Sequence, residues 1–149
     1  MEDEDAINSF CKLMNETAKE IGMTNSHFTN PDGWDEDGQY TTAEDLLKLT
    51  EYALSNRFIK KTVGTQEANV VFESGEPATW VNSNQLLDQY SEYYCRDAIG
   101  VKTGTTLEAG NNLIAAFEKN DKTYITVVEG CETDEERYEL TLKLYNGIE

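Results

Sequence analysis

Lys102, Thr103 and Gly104 are the residues of this 149-residue chain whose types and spacing most suggest chemistry. They sit in AIGVKTGTTLEAGNNLIAAF, Ala98 to Phe117, at the end of one apolar run and ahead of a second. A lysine ammonium and a threonine hydroxyl at a strand end can bind a carboxylate, one by charge and one by a hydrogen bond. Gly104 lets a ligand lie close to the backbone, and the N–H of Thr105 can point at an oxyanion. An edge strand ending in a turn, with an exposed lysine guarding it against aggregation, carries the same pattern. The tripeptide alone leaves both readings open.

A carboxylate clamp needs a nucleophile before it can do chemistry. One Ser-x-x-Lys exists, Ser9 to Lys12 in SFCK. On a helix the lysine amine stands one turn from the serine and can take its proton. The apolar stripe of Phe10, Cys11 and Met14 argues against that use, because it leaves Ser9 and Lys12 toward solvent, where a lysine is a poor base at neutral pH. No Ser-x-Asn or Tyr-x-Asn completes the set. Ser9 and Lys12 are therefore read as a decoy, and no catalytic residue is assigned within the chain.

Other chemistries find less support. There is no Gly-x-Ser-x-Gly, no glycine-rich phosphate loop and no HExxH. Cys11, Cys95 and Cys131 stand alone without a CxxC, and His27 is the one histidine. Neither a zinc site nor a Cys–His pair is indicated. Cys11 reads as a buried thiol and His27 as a structural hydrogen-bonding residue. No cofactor or metal is implied.

The elements that position these residues follow from periodicity. Ile7, Phe10, Cys11, Met14, Ala18 and Ile21 predict a helix over Asp5 to Ile21, ended by Gly22. Met23 to Tyr40 loses all period and is rich in turn formers, which predicts an ordered loop anchored by Phe28 and Trp34. TTAEDLLKLTEYALSN predicts a second helix with a Thr42–Asp45 capping box and a buried stripe of Leu46, Leu49, Ala53 and Leu54. A short helix follows near Arg57 to Thr62. QEANVVFES and ATWVNSN predict a two-stranded ribbon, and NQLLDQYSEYY a helical turn and loop. Three strands, Ala98–Gly104, Asn111–Glu118 and Thr123–Gly130, form an antiparallel meander. The last segment predicts a helix with a Thr133–Glu136 capping box that lays Tyr138, Leu142, Leu144 and Tyr145 on the sheet. The class is α+β in a single domain: helices first, then an antiparallel sheet with a helix on it.

Composition narrows the partners. A net charge of −17 opposes binding to nucleic acid and to anionic membranes. No run approaches the roughly 18 apolar residues of a membrane span. The acidic opening MEDEDAINSF is not a secretory leader, so the chain is either cytosolic or preceded by one.

Taken in order, these motifs resemble the D-alanyl-D-alanine carboxypeptidases, the low-molecular-mass penicillin-binding proteins. FCKLMNETAKEIGMTNSHFTNPDGWDEDGQYTTAEDLLKLTEYALSN is similar to the stretch after that family's second active-site motif. NSNQLL is similar to its Asn-x-Asn-Leu-Leu, IGVKTGTTLEAGNNLIAAF to its third motif and next strand, and YITVVEGCETDEERYELTLKLYNGI to its last strand and helix. The resemblance covers nearly everything from Phe10 to Ile148. It implies a partial penicillin-binding/β-lactamase-like transpeptidase fold and a serine acyl-transfer reaction on the D-Ala-D-Ala end of peptidoglycan stem peptides, with β-lactams trapping the same serine. Lys102 and Thr103 would hold the substrate carboxylate, Gly104 would give backbone access, the Thr105 N–H would be half of an oxyanion hole, and Arg137 would assist with the carboxylate. One departure is Asp32 in NPDG, where many relatives carry histidine.

In that family the Ser-x-x-Lys and Ser-x-Asn motifs precede the matched region. The expectation is thus the C-terminal part of an extracytoplasmic enzyme of the bacterial envelope, inactive by itself. Missing strands would leave an unpaired sheet edge, which predicts a homodimer or strand exchange. The alternative is a non-catalytic module that binds wall peptides or a protein partner. A class A β-lactamase is set aside for want of a general-base glutamate in an omega loop.

Overall fold

The structure is a computed structural model that describes residues 2–148. Its elements run in the order α1 (Glu2–Glu20), α2 (Ala43–Ser55), α3 (Arg57–Val63), β1 (Glu67–Val71), β2 (Pro77–Val81), a 3-10 turn (Gln85–Leu87), β3 (Ala98–Thr106), β4 (Gly110–Lys119), β5 (Lys122–Cys131) and α4 (Asp134–Asn146). Strands β1 and β2 pair as a separate antiparallel ribbon, and β3, β4 and β5 form a sheet in that order. The α+β meander read from period two is therefore present, with each strand slightly longer than its apolar run.

One face of the sheet carries the core. Leu113, Ala115 and Phe117 of β4 are fully buried against Tyr138 and Tyr145 of α4 and Leu86 of the 3-10 turn. Phe117 stacks on Tyr145 with ring centroids 4.0 Å apart, and Tyr93 stacks on Tyr138 at 4.9 Å. Full burial of a side chain such as Leu113 or Phe117 contributes roughly 1.5–3 kcal/mol. Leu144, expected in this layer, is 52% exposed. Thr141 is buried on α4 instead. It stands one turn from both Tyr138 and Tyr145, and Leu144 lies off that stripe.

Helix α1 corrects a second expectation. It begins before Asp5, and Gly22 at φ +85° ends it while Met23 N–H reaches the Ala18 carbonyl. Ile7 and Phe10 of the expected buried stripe are exposed, whereas Cys11 and Ala18 are buried. The reason is local. The 23–40 loop packs over the C-terminal half of α1, where Asn15 clasps the backbone of Phe28 by its N–H (2.9 Å) and its carbonyl (2.7 Å). The N-terminal half has no such cover among the described residues.

That loop is ordered by amide side chains more than by aromatic ones. The Trp34 indole, expected to anchor it, is 69% exposed. Its backbone carbonyl accepts from Asn30 Nδ2 (3.0 Å) and Gln39 Nε2 (2.8 Å). Asp45 likewise departs from the expected capping box. Thr42 accepts the Asp45 N–H, but the Asp45 carboxylate turns to Asn25 N–H (2.7 Å), Ser26 Oγ (2.9 Å) and Lys48 (3.0 Å). Asp45 and Thr50 are the buried residues of α2, and Leu46, Leu49, Ala53 and Leu54 are half-buried.

Candidate functional site

Strand alternation decides where the clamp residues go. Thr103 pairs with Leu113, whose side chain faces α4, so Thr103 and Thr105 share the helix-covered face. Lys102 and Gly104 pair with Ile114 and Asn112 on the other face. Among the described residues β3 is an edge of the sheet, so the two sets meet along its open side.

On the α4 face the polar groups hold one another. The hydroxyls of Ser83 and Thr103 are 2.6 Å apart. Ser83 is placed there by Tyr138, whose hydroxyl donates to the Ser83 carbonyl (3.0 Å) and accepts the Gln85 N–H (3.2 Å). Asn82 and Asn84 build the turn beneath: Asn82 bonds the carbonyls of Val63 and Thr65, and Asn84 Oδ1 accepts the Leu86 N–H. Two positions on, Thr105 Oγ1 accepts from Arg137 Nη1 (3.1 Å) and donates to Asn111 Oδ1 (3.1 Å).

Arg137 supplies the fixed positive charge. It is buried in the first turn of α4 and also donates to the Asn112 carbonyl (3.2 Å), while its Nη2 pairs with Asp134. Gln85 Nε2 fixes the other Asp134 oxygen (3.1 Å). Among the described residues Arg137 Nε is buried without a hydrogen-bond partner. A guanidinium held 3.1 Å from the Thr105 hydroxyl places a positive charge at the end of β3, which favours a carboxylate there.

On the opposite face Lys102 Nζ folds onto the Thr103 carbonyl (2.5 Å) and makes no ion pair among the described residues. A Cβ built on Gly104 meets nothing within 4 Å. Both are exposed, so this side is open for a ligand.

The remaining candidates lie elsewhere. Ser9 donates to the Asp5 carbonyl (2.7 Å), and Lys12 stands 3.9 Å from Glu16 in solvent. His27 Nδ1 is 2.8 Å from the Gly38 carbonyl, and its ring stacks on Tyr40. Burial and the neighbouring Glu136 push the Cys131 thiol up, which disfavours a thiolate, despite the opposing pull of Arg137. Among the described residues no group of three or more His, Cys, Asp or Glu could hold a metal, and no helix is long and apolar enough to cross a membrane.

Ser83, Tyr138 and Asn112 were not singled out as site residues from sequence. Their partners are 20, 55 and 8 residues away, a relation no local pattern carries.

Comparison with known proteins identifies the family. The chain is 38% identical over 129 residues to D-alanyl-D-alanine carboxypeptidase DacF of Bacillus subtilis, covering 86% of the chain and 32% of the relative. It is 35% identical over 127 residues to a D-alanyl-D-alanine carboxypeptidase of Streptomyces sp. strain K15, covering 82% of the chain and 42% of the relative. The crystal structure of the Streptomyces K15 DD-transpeptidase superposes with a TM-score of 0.82 at 34% identity, covering 93% of this chain and 53% of that one. Penicillin-binding protein D2 of Listeria monocytogenes in its cefotaxime-bound form superposes at 0.77 and 31% identity, covering 92% and 53%. The chain thus spans about a third to two-fifths of these curated relatives and about half of the solved ones. Its fold is the corresponding part of the penicillin-binding, DD-peptidase fold. A family model described as D-alanyl-D-alanine carboxypeptidase matches residues 6–133, and the chain belongs to that family, peptidase family S11.

Proposed function

We propose that residues 1–149 form the carboxylate-binding wall of a serine-type D-Ala-D-Ala carboxypeptidase. The whole protein removes the terminal D-Ala of peptidoglycan stem peptides through an acyl-enzyme, outside the cytoplasm in the bacterial envelope. β-Lactams acylate the same serine. That serine and its lysine lie outside this stretch, so the chain by itself is inactive.

The observation that supports the reading is the buried Arg137 guanidinium 3.1 Å from the hydroxyl of Thr105, which stands two strand positions beyond Thr103. A substrate carboxylate lying along the open edge of β3 takes over the bond that Ser83 now makes to Thr103. It gains the charge of Arg137 from one face and of Lys102 from the other. Gly104 keeps the edge clear for the peptide. The Thr105 N–H supplies one donor of the oxyanion hole. These residues bind and orient, and none of them attacks the carbonyl.

Fluorescent penicillin followed by a denaturing gel tests the absence of a nucleophile. The expected result is no covalent label. A label that disappears in Ser9→Ala would overturn the reading by making Ser9 the nucleophile.

A further inference from the structure

We infer that Asp35 is a positioning residue for the carboxylate site, acting through Thr106. The inference rests on the functional reading above. Asp35 belongs to the 23–40 loop, 71 residues from its partner. Its Oδ1 accepts the Thr106 hydroxyl proton at 2.6 Å, and its Oδ2 accepts the Glu108 N–H at 3.3 Å. Thr106 Oγ1 in turn accepts the Ala109 N–H at 3.0 Å. One carboxylate therefore organises the β3–β4 turn immediately after the clamp.

Adjacent strand residues point to opposite faces. Arg137 grips Thr105 from the α4 face, and Asp35 grips Thr106 from the other. Among the described residues no strand pairs with the outer side of β3, and these two side-chain ties hold its end from the two faces. A groove of about 820 Å³, bounded by Trp34, Glu108, Asn112 and Glu129, separates the loop from the sheet. Among the described residues, the hydrogen bonds that cross it come from Asp35. Releasing Asp35 frees the turn to rotate Thr106 and, with it, the neighbouring Thr105 hydroxyl away from Arg137. Asp35 never touches the ligand. Its effect is on how well the threonine hydroxyls face it.

The test is a titration of the isotope-labelled protein with acetyl-D-alanyl-D-alanine, read at the amides of Thr103 and Thr105, in Asp35→Ala, Thr106→Val, the double variant and Thr106→Ser. Each single variant is expected to weaken binding roughly three- to tenfold, with the double no weaker than either. Thr106→Ser, which keeps the hydroxyl, is expected to bind as the parent does. A purely structural tie would move the melting temperature without this pattern of affinities. Parent-like affinity in Asp35→Ala or Thr106→Val, or additive losses in the double variant, would overturn the inference. Arg137→Leu separates the two levels. If it leaves peptide binding unchanged, the carboxylate site itself is wrong and the role of Asp35 falls with it. If it abolishes binding while Asp35→Ala does not affect it, only the role of Asp35 is wrong.

Discussion

Arg137 and Thr105 lie 32 residues apart in sequence and 3.1 Å apart in space, the first in α4 and the second at the end of β3. That bond ties the helix to the strand that carries Lys102, Thr103 and Gly104. Replacing Arg137 with Leu removes the buried charge together with the donors to Thr105 and the Asn112 carbonyl. The expected cost is roughly 1–3 kcal/mol in stability, measured by urea unfolding. Arg137→Lys should fold better yet bind carboxylate at least about tenfold more weakly, because an ammonium cannot reproduce the fork.

Gly104 and Gly110 should behave oppositely on substitution by alanine. Gly104 has open space around its missing side chain and an ordinary φ, so Gly104→Ala should change the melting temperature little while blocking ligand access. Gly110 sits at φ +67°, and a Cβ there falls 2.8 Å from the Cys131 carbonyl oxygen. Gly110→Ala should lower stability by roughly 1–3 kcal/mol. Paired thermal melts and peptide titrations distinguish the two effects.

Alkaline stability should depend on Tyr145. Burial first, and the 2.6 Å hydrogen bond to Asp97 second, push its phenol from 10.0 up to about 12. The folded state therefore favours the protonated form. That contribution is fully present below pH 10 and is lost as pH rises through about 12. In denaturant midpoints followed from pH 9 to 12, Tyr145→Phe should show a smaller decline than the parent.

Acid stability should depend on Asp45 in the opposite sense. Burial pushes its carboxyl up, but the Asn25 N–H, Lys48 and Ser26 together outweigh that and hold it below its ordinary 3.8. The stabilisation is present above that value and is lost as pH falls through the lowered one. Asp45→Asn should be less stable at neutral pH and should lose less on acidification, as read by melts between pH 2 and 6.

Much of this was legible in the sequence, for identifiable reasons. Period-two runs marked β3, β4 and β5, and Thr42 and Thr133 marked the helix starts at which each hydroxyl accepts a backbone N–H. The order of motifs around Lys102, Thr103 and Gly104 pointed to the family. The opposite placement of Lys102 and Thr103 is implicit in strand alternation, yet it acquires meaning only once α4 is known to cover one face. Side chains whose roles are set by distant partners gave no such signal. Asp35 looks like one more acid in a turn-rich loop, and Ser83 like a linker serine. Phe10 and Trp34 misled because their apolarity says that they can be buried, and not whether anything lies over them.

The central claim is that the β3 edge between Thr103 and Arg137 recognises a terminal carboxylate. The most direct measurement compares two titrations of the labelled protein, with acetyl-D-alanyl-D-alanine and with the same peptide amidated at its C-terminus. Shifts concentrated at Thr103 to Thr106 and at the Arg137 side chain are expected for the acid, and their loss for the amide. Equal shifts for both peptides, or shifts centred away from β3 and α4, would contradict it.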